Sequence, residues 1–208
     1  MRAGIAAPAR DERNETMRTC ISMSSLFGEF SARLEAIASA GFDAIELPEG
    51  DILLQGGDPA DVGRIIKEYG LDIALLTTIT EPEGLPPPLR GKAFDRIERL
   101  FDTMAALGTD LMLLGSSTHP ATLGGIDRLA ADLAELGRRA AARGMRIGYE
   151  ARLGGRHISD YRDAWEVVRR TGQANVGLVL DSFHVLDQGL SPEAIRAVPD
   201  DRLFHVQL

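Results

Sequence analysis

Two rhythms of apolar residues alternate along this chain. Short, nearly unbroken runs follow five glycines: FDAIEL after Gly41, LDIALL after Gly70, TDLMLL after Gly108, MRIGYE after Gly144 and QANVGLVLD after Gly172. Between them apolar residues recur three and four positions apart. The sets are Leu34 and Ile37; Val62, Ile65, Ile66 and Tyr69; Phe94, Ile97, Phe101 and Met104; Leu129, Leu133, Leu136 and Ala140; and Tyr161, Trp165 and Val168. The runs predict strands buried on both faces, and the spaced sets predict helices with one apolar stripe laid on a parallel sheet. A glycine at each junction suits the left-handed turn that ends a helix. The junctions recur at intervals near the ~30 residues of one βαβ unit.

Adding Thr19–Ser22 and Leu203–Leu208 brings the strands to seven. The residues after the first strand read SMSSLFGEF, without the Gly-x-Gly-x-x-Gly turn of a dinucleotide fold. Strict alternation without that turn predicts an α/β fold, a (β/α)8 TIM barrel truncated after strand 7 in this chain. An open doubly wound sheet is the alternative. The longest irregular stretch, Thr77 to Arg90, carries four prolines that argue against helix or strand, so a loop is expected there, either covering a substrate or acting as a rigid connector.

Composition narrows the picture. The 208 residues are 44% hydrophobic and 26% charged, enough for one sizeable core, and no window approaches the ~18 apolar residues of a membrane span. Residues 1–16 mix Arg, Ala and charge without a signal-peptide core, which predicts a disordered extension ahead of a domain over 17–208. A net charge of −8 disfavours a binder of nucleic-acid backbones. The lone Cys20 permits no internal disulfide, fits a cytoplasmic setting and reads as an inert buried thiol, with a pocket-lining thiol as the alternative. Oligomeric state is left open, with a homo-oligomer allowed.

Candidate chemistry collects where strands end. Glu150, Asp181 and Gln207 close strands 5, 6 and 7, each about one βα unit from the next, so consecutive strands deliver them to one rim. Two carboxylates and an amide oxygen are hard donors, suited to Mg²⁺ or Mn²⁺, with Co²⁺ a further fit. Taken singly, each residue has an ordinary structural role, and only their coincidence at equivalent strand ends points to a metal. His184, three residues beyond Asp181, could serve as general acid or base at the same site. Arg156 and His157 form a cationic pair in the loop after strand 5, suited to a substrate carboxylate. His205 shares the parity of Gln207, and His119 lies in a Ser/Thr-rich loop after strand 4 that could line the same pocket.

The runs IGYEARLGGRH, YRDAWEVVRR, GLVLDSFHVL and DDRLFHVQL resemble, in that order, the sugar phosphate isomerase/epimerase superfamily of xylose-isomerase-like barrels. Within it they are most similar to bacterial metal-dependent 3-dehydroshikimate dehydratases. The resemblance implies a metal held by Glu150, Asp181, Gln207 and a glutamate from an eighth strand. It implies a carbon–oxygen lyase that turns a small carboxylate, 3-dehydroshikimate, into protocatechuate through an enolate, with Glu150 and His184 at the reacting centre. Arg90, with Arg156 and His157, is then a candidate for the substrate carboxylate. Competing expectations are an isomerase or epimerase of a sugar phosphate or keto acid on the same metal site, an inactive fragment, and, against the charge, a DNA-repair endonuclease.

Overall fold

A computed structural model describes residues 17–208. The extension expected over residues 1–16 lies outside the described residues. Seven strands, β1 (Cys20–Ser22), β2 (Ala44–Pro48), β3 (Asp72–Thr77), β4 (Leu111–Gly115), β5 (Arg146–Glu150), β6 (Val176–Asp181) and β7 (Leu203–Gln207), form one parallel sheet in sequence order. The helices are α1 (Phe30–Ala40), α2 (Glu49–Gln55), α3 (Pro59–Glu68), α4 (Pro87–Leu107), α5 (Ile126–Ala141), α6 (Tyr161–Arg170) and α7 (Ser182–Asp187). A parallel sheet wound in sequence order with helices between its strands is the TIM-barrel pattern, carried here through seven strands.

The pleat sorts the strand residues into two sets. Ile45, Leu47, Leu76, Met112, Leu114, Ile147, Tyr149, Leu178 and Leu180 join the apolar stripes of the helices in one large core. Their neighbours Leu75, Leu111, Leu113 and Val179 form a second, smaller cluster on the opposite face. The sheet curls around that face far enough for the last strand to touch the first two. Nε2 of His205 on β7 lies 2.8 Å from Oε1 of Glu46 on β2 and 3.7 Å from Sγ of Cys20 on β1. Gly148 gives the curled face its room, since a Cβ there would sit 2.5 Å from Val179 Cγ2.

The five junction glycines all have positive φ, from 63° at Gly172 to 85° at Gly41, as the helix-ending turns require. One expectation is corrected. The stretch Thr77 to Arg90 is not loop throughout, because Pro87 and Pro88 open α4 at positions whose amides need no partner inside the helix. The short helix α2, EGDILLQ, was not anticipated. It has too few residues for a stripe to repeat, and Leu53 and Leu54 remain exposed. Among the described residues no helix is long and apolar enough to cross a membrane.

Candidate metal centre

β5 and β6 end side by side, with Glu150 paired in register to Val179, and β6 and β7 align Asp181 with Gln207. The three strand-end residues are therefore delivered to one rim. Asp181 also caps α7: its Oδ1 accepts from the Phe183 amide at 2.7 Å. That contact fixes the carboxylate and leaves Oδ2 3.7 Å from His184 Nε2. One donor atom from each of Glu150, Asp181 and His184 lies within 4.8 Å of the others. His184 rides on the first turn of α7, its ring edge-on to Phe183, with the Leu153 amide 3.4 Å from Nδ1. Its Nε2 side thus faces the carboxylates.

Glu150 is 5% exposed, and no hydrogen bond to its carboxylate occurs among the described residues. Burial raises its pKa to about 7, and the neighbouring charge of Asp181 adds to the rise against the pull of Arg152. A buried carboxylate without a partner is costly unless a cation or proton meets it. The set Glu150, Asp181 and His184 offers that cation two hard oxygens and an imidazole nitrogen, so the residues fit a divalent ion.

Gln207 lies beside this set and is tied to a residue that the sequence reading missed. Its Nε2 donates to both oxygens of Glu46, at 2.9 and 3.0 Å. Glu46 is 4% exposed; burial pushes its carboxyl up, but the hydrogen bonds from His205 and Gln207 outweigh burial and hold it below the ordinary range. For His205 burial acts downward, while contacts with Cys20 and Glu46 prevail and lift it to about 9. The two form an ion pair inside the curled sheet. Cys20 is half-buried, not a core residue, with Sγ 3.7 Å from His205 Nε2. The signal available in the sequence was the single charge in the apolar strand AIELP.

The remaining candidates are engaged elsewhere or lie in loops. Arg90 ion-pairs with Asp132 and Glu135 on α5 at 2.6 Å each and lies 4.0 Å over the Phe94 ring. Its guanidinium thus joins α4 to α5. His157 Nε2 meets the Thr122 carbonyl at 2.8 Å, and His119 Nδ1 accepts from the Ala121 amide at 3.1 Å. Both rings hold loops together. Arg156 is exposed, fixed through its backbone amide to the Ser117 carbonyl at 2.8 Å.

The loop after β3 is pinned to the same rim. Glu81 accepts from the amide and hydroxyl of Thr118 and from Arg152, the last at 2.5 Å. Glu83, 1% exposed, accepts from the Ser117 amide at 2.5 Å and from the Tyr149 hydroxyl at 3.2 Å, while its second oxygen has no partner among the described residues. Burial drives the Glu83 pKa to about 7, above the 4.5 of an unburied glutamate. The folded state therefore holds this proton more tightly than the unfolded chain. The resulting stability is complete below pH 4.5 and is lost as pH rises through about 7, by on the order of 3 kcal/mol. Glu83→Gln is expected to flatten the pH dependence of the melting temperature between pH 5 and 8. An unchanged slope would show that Glu83 is not the group responsible.

Comparison with known proteins places this geometry. The chain is 44% identical over 192 residues to a 3-dehydroshikimate dehydratase of Pseudomonas aeruginosa and 42% identical to one of Pseudomonas putida. Each match covers 92% of this chain and 30% of the relative, so the chain spans less than a third of their length. A solved xylose isomerase-like TIM barrel/4-hydroxyphenylpyruvate dioxygenase fusion protein superposes with a TM-score of 0.89 at 42% identity, covering 91% of this chain and 30% of that one. The family profile described as xylose isomerase-like TIM barrel matches residues 34–208. Seven parallel strands in barrel order, with acidic residues gathered at their carboxyl ends, agree with that match: the chain belongs to the xylose isomerase-like TIM barrel family.

Proposed function

We propose that this chain carries the metal site of a 3-dehydroshikimate dehydratase, a carbon–oxygen lyase that forms protocatechuate. The observation that carries the reading is the buried Glu150, facing Asp181 and His184 and without a hydrogen-bond partner for its carboxylate among the described residues. Its substrate is taken from the names of the relatives in Pseudomonas aeruginosa and Pseudomonas putida. Glu150, Asp181 and the carbonyl oxygen of Gln207 would hold the ion, with Mg²⁺, Mn²⁺ or Co²⁺ as its identity. Such an ion supplies Lewis-acid polarisation of the substrate's ring ketone when bound.

The chain's own residues account for the proton and for orientation. His184, with Nε2 on the carboxylate side, takes the proton from the carbon next to the ketone. The C–H electrons form the new ring double bond as the hydroxyl one carbon further on departs with a proton, as water. Tautomerisation of the remaining ketone completes the catechol, so the balance is one substrate to one product and one water. Arg156, exposed at the rim, is the candidate for the substrate carboxylate. The partner implied is a small carboxylate.

The test is an absorbance assay of the 208-residue chain with 3-dehydroshikimate and Mn²⁺, following the catechol product. A signal that needs the metal and disappears with a chelator is expected. A folded chain that binds Mn²⁺ and makes no catechol would overturn the dehydratase reading.

A further inference from the structure

A side-chain amide has two nearly isosteric ends, and only one of them can ligate a cation. Oxygen offers lone pairs, whereas the NH2 group offers only hydrogens. A Gln207 free to turn over would present the wrong end for part of the time. Its surroundings are built against that. Both oxygens of Glu46 lie within 3.0 Å of Gln207 Nε2, and the opposite orientation would set the amide oxygen against two carboxylate oxygens. Glu46 is itself held: it is buried, and its Oε1 also meets His205 Nε2 at 2.8 Å. In the strand register Gln207 is aligned with Asp181, so the carbonyl end is the one left for that neighbourhood.

We propose that Glu46 is a positioning residue, whose carboxylate takes the NH2 of Gln207 and thereby turns the amide carbonyl oxygen toward the metal site. The inference rests on the metal-site reading above. Partners that orient a ligand are commonly worth 10–100-fold in metal affinity. Glu46→Gln replaces a group that only accepts with one that also donates, so either amide orientation becomes tolerable.

The experiment is a Mn²⁺ titration, by calorimetry and by loss of the free-ion paramagnetic resonance signal, on the 208-residue chain and four variants. These are Glu46→Gln, Gln207→Ala, the double variant and Asp181→Ala. The expected result is that Glu46→Gln weakens binding roughly 10-fold or more in the native background and adds no further loss once Gln207 is alanine. Equal losses in both backgrounds would assign Glu46 a general charge effect and overturn the proposal, as would no loss in either. If Gln207→Ala leaves affinity unchanged while Asp181→Ala removes it, a metal site on the carboxylates stands without Gln207, and the orientation proposal falls. If Asp181→Ala also leaves affinity unchanged, both fall.

A second readout needs no metal and no folded Glu46 variant. The side-chain NH2 resonances of Gln207, identified by their absence from Gln207→Ala, are expected to exchange slowly with solvent. Exchange as fast as that of an exposed glutamine would overturn the proposal.

Discussion

Asp181→Ala and Glu150→Ala are each expected to lower Mn²⁺ affinity by more than about 100-fold and to abolish metal-dependent turnover, a larger loss than that of an outer partner. The reason lies in what each carboxylate faces. Glu150 has no hydrogen-bond partner among the described residues, and Asp181 spends only Oδ1 on the Phe183 amide. Removing either leaves the ion one hard oxygen fewer. The stability effects should differ. Asp181→Ala forfeits the cap of α7, about 1 kcal/mol, whereas Glu150→Ala relieves the burial of a carboxylate and is not expected to lower the melting temperature. Calorimetric Mn²⁺ titration beside thermal melts reads both quantities. Native affinity in either folded variant would remove these residues from the metal site.

His184→Asn is the second large effect. Turnover is expected to fall by roughly 10²–10⁴-fold, the usual worth of a positioned proton-transfer group, while Mn²⁺ affinity stays within a few-fold of native. Asparagine keeps a short polar side chain on α7 but cannot carry a proton to and from the substrate. Steady-state rates beside metal titrations separate the roles. A full rate would take His184 out of the chemistry, and a collapse of affinity would make it a metal ligand, a role its place beside Glu150 and Asp181 also permits.

The register of the sheet explains why part of this site could be read from the chain alone. Parallel strands joined by helices start and stop at similar heights, so Glu150, Asp181 and Gln207 at successive strand ends had to share a rim. The same logic placed His184 one turn beyond Asp181. Arg90 shows the opposite case. The proline-rich stretch that ends at Arg90 reads as a loop, covering a substrate or acting as a rigid connector, but its last prolines start α4, and the Arg90 side chain turns to carboxylates on α5. Pairing across neighbouring helices depends on their rotation about their own axes, which spacing along one helix does not encode.

By itself the sequence determined the order of strands and helices, the glycine turns between them and the gathering of acidic residues at the strand ends. Each of these follows from local periodicity or from stereochemistry within a few residues. Only the tertiary structure decided what Glu46 and Glu83 do. Glu46 sits in an apolar strand, where its charge has no local explanation, and its partners His205 and Gln207 lie 159 and 161 residues further on. Burial raises the Glu83 pKa to about 7, and its carboxylate meets the Ser117 amide after β4 and Tyr149 on β5 from 66 residues away. The curl of the sheet and the folding-over of the loop create these contacts. A buried charge takes its meaning from the groups that enclose it, and those are brought together only when the whole chain folds.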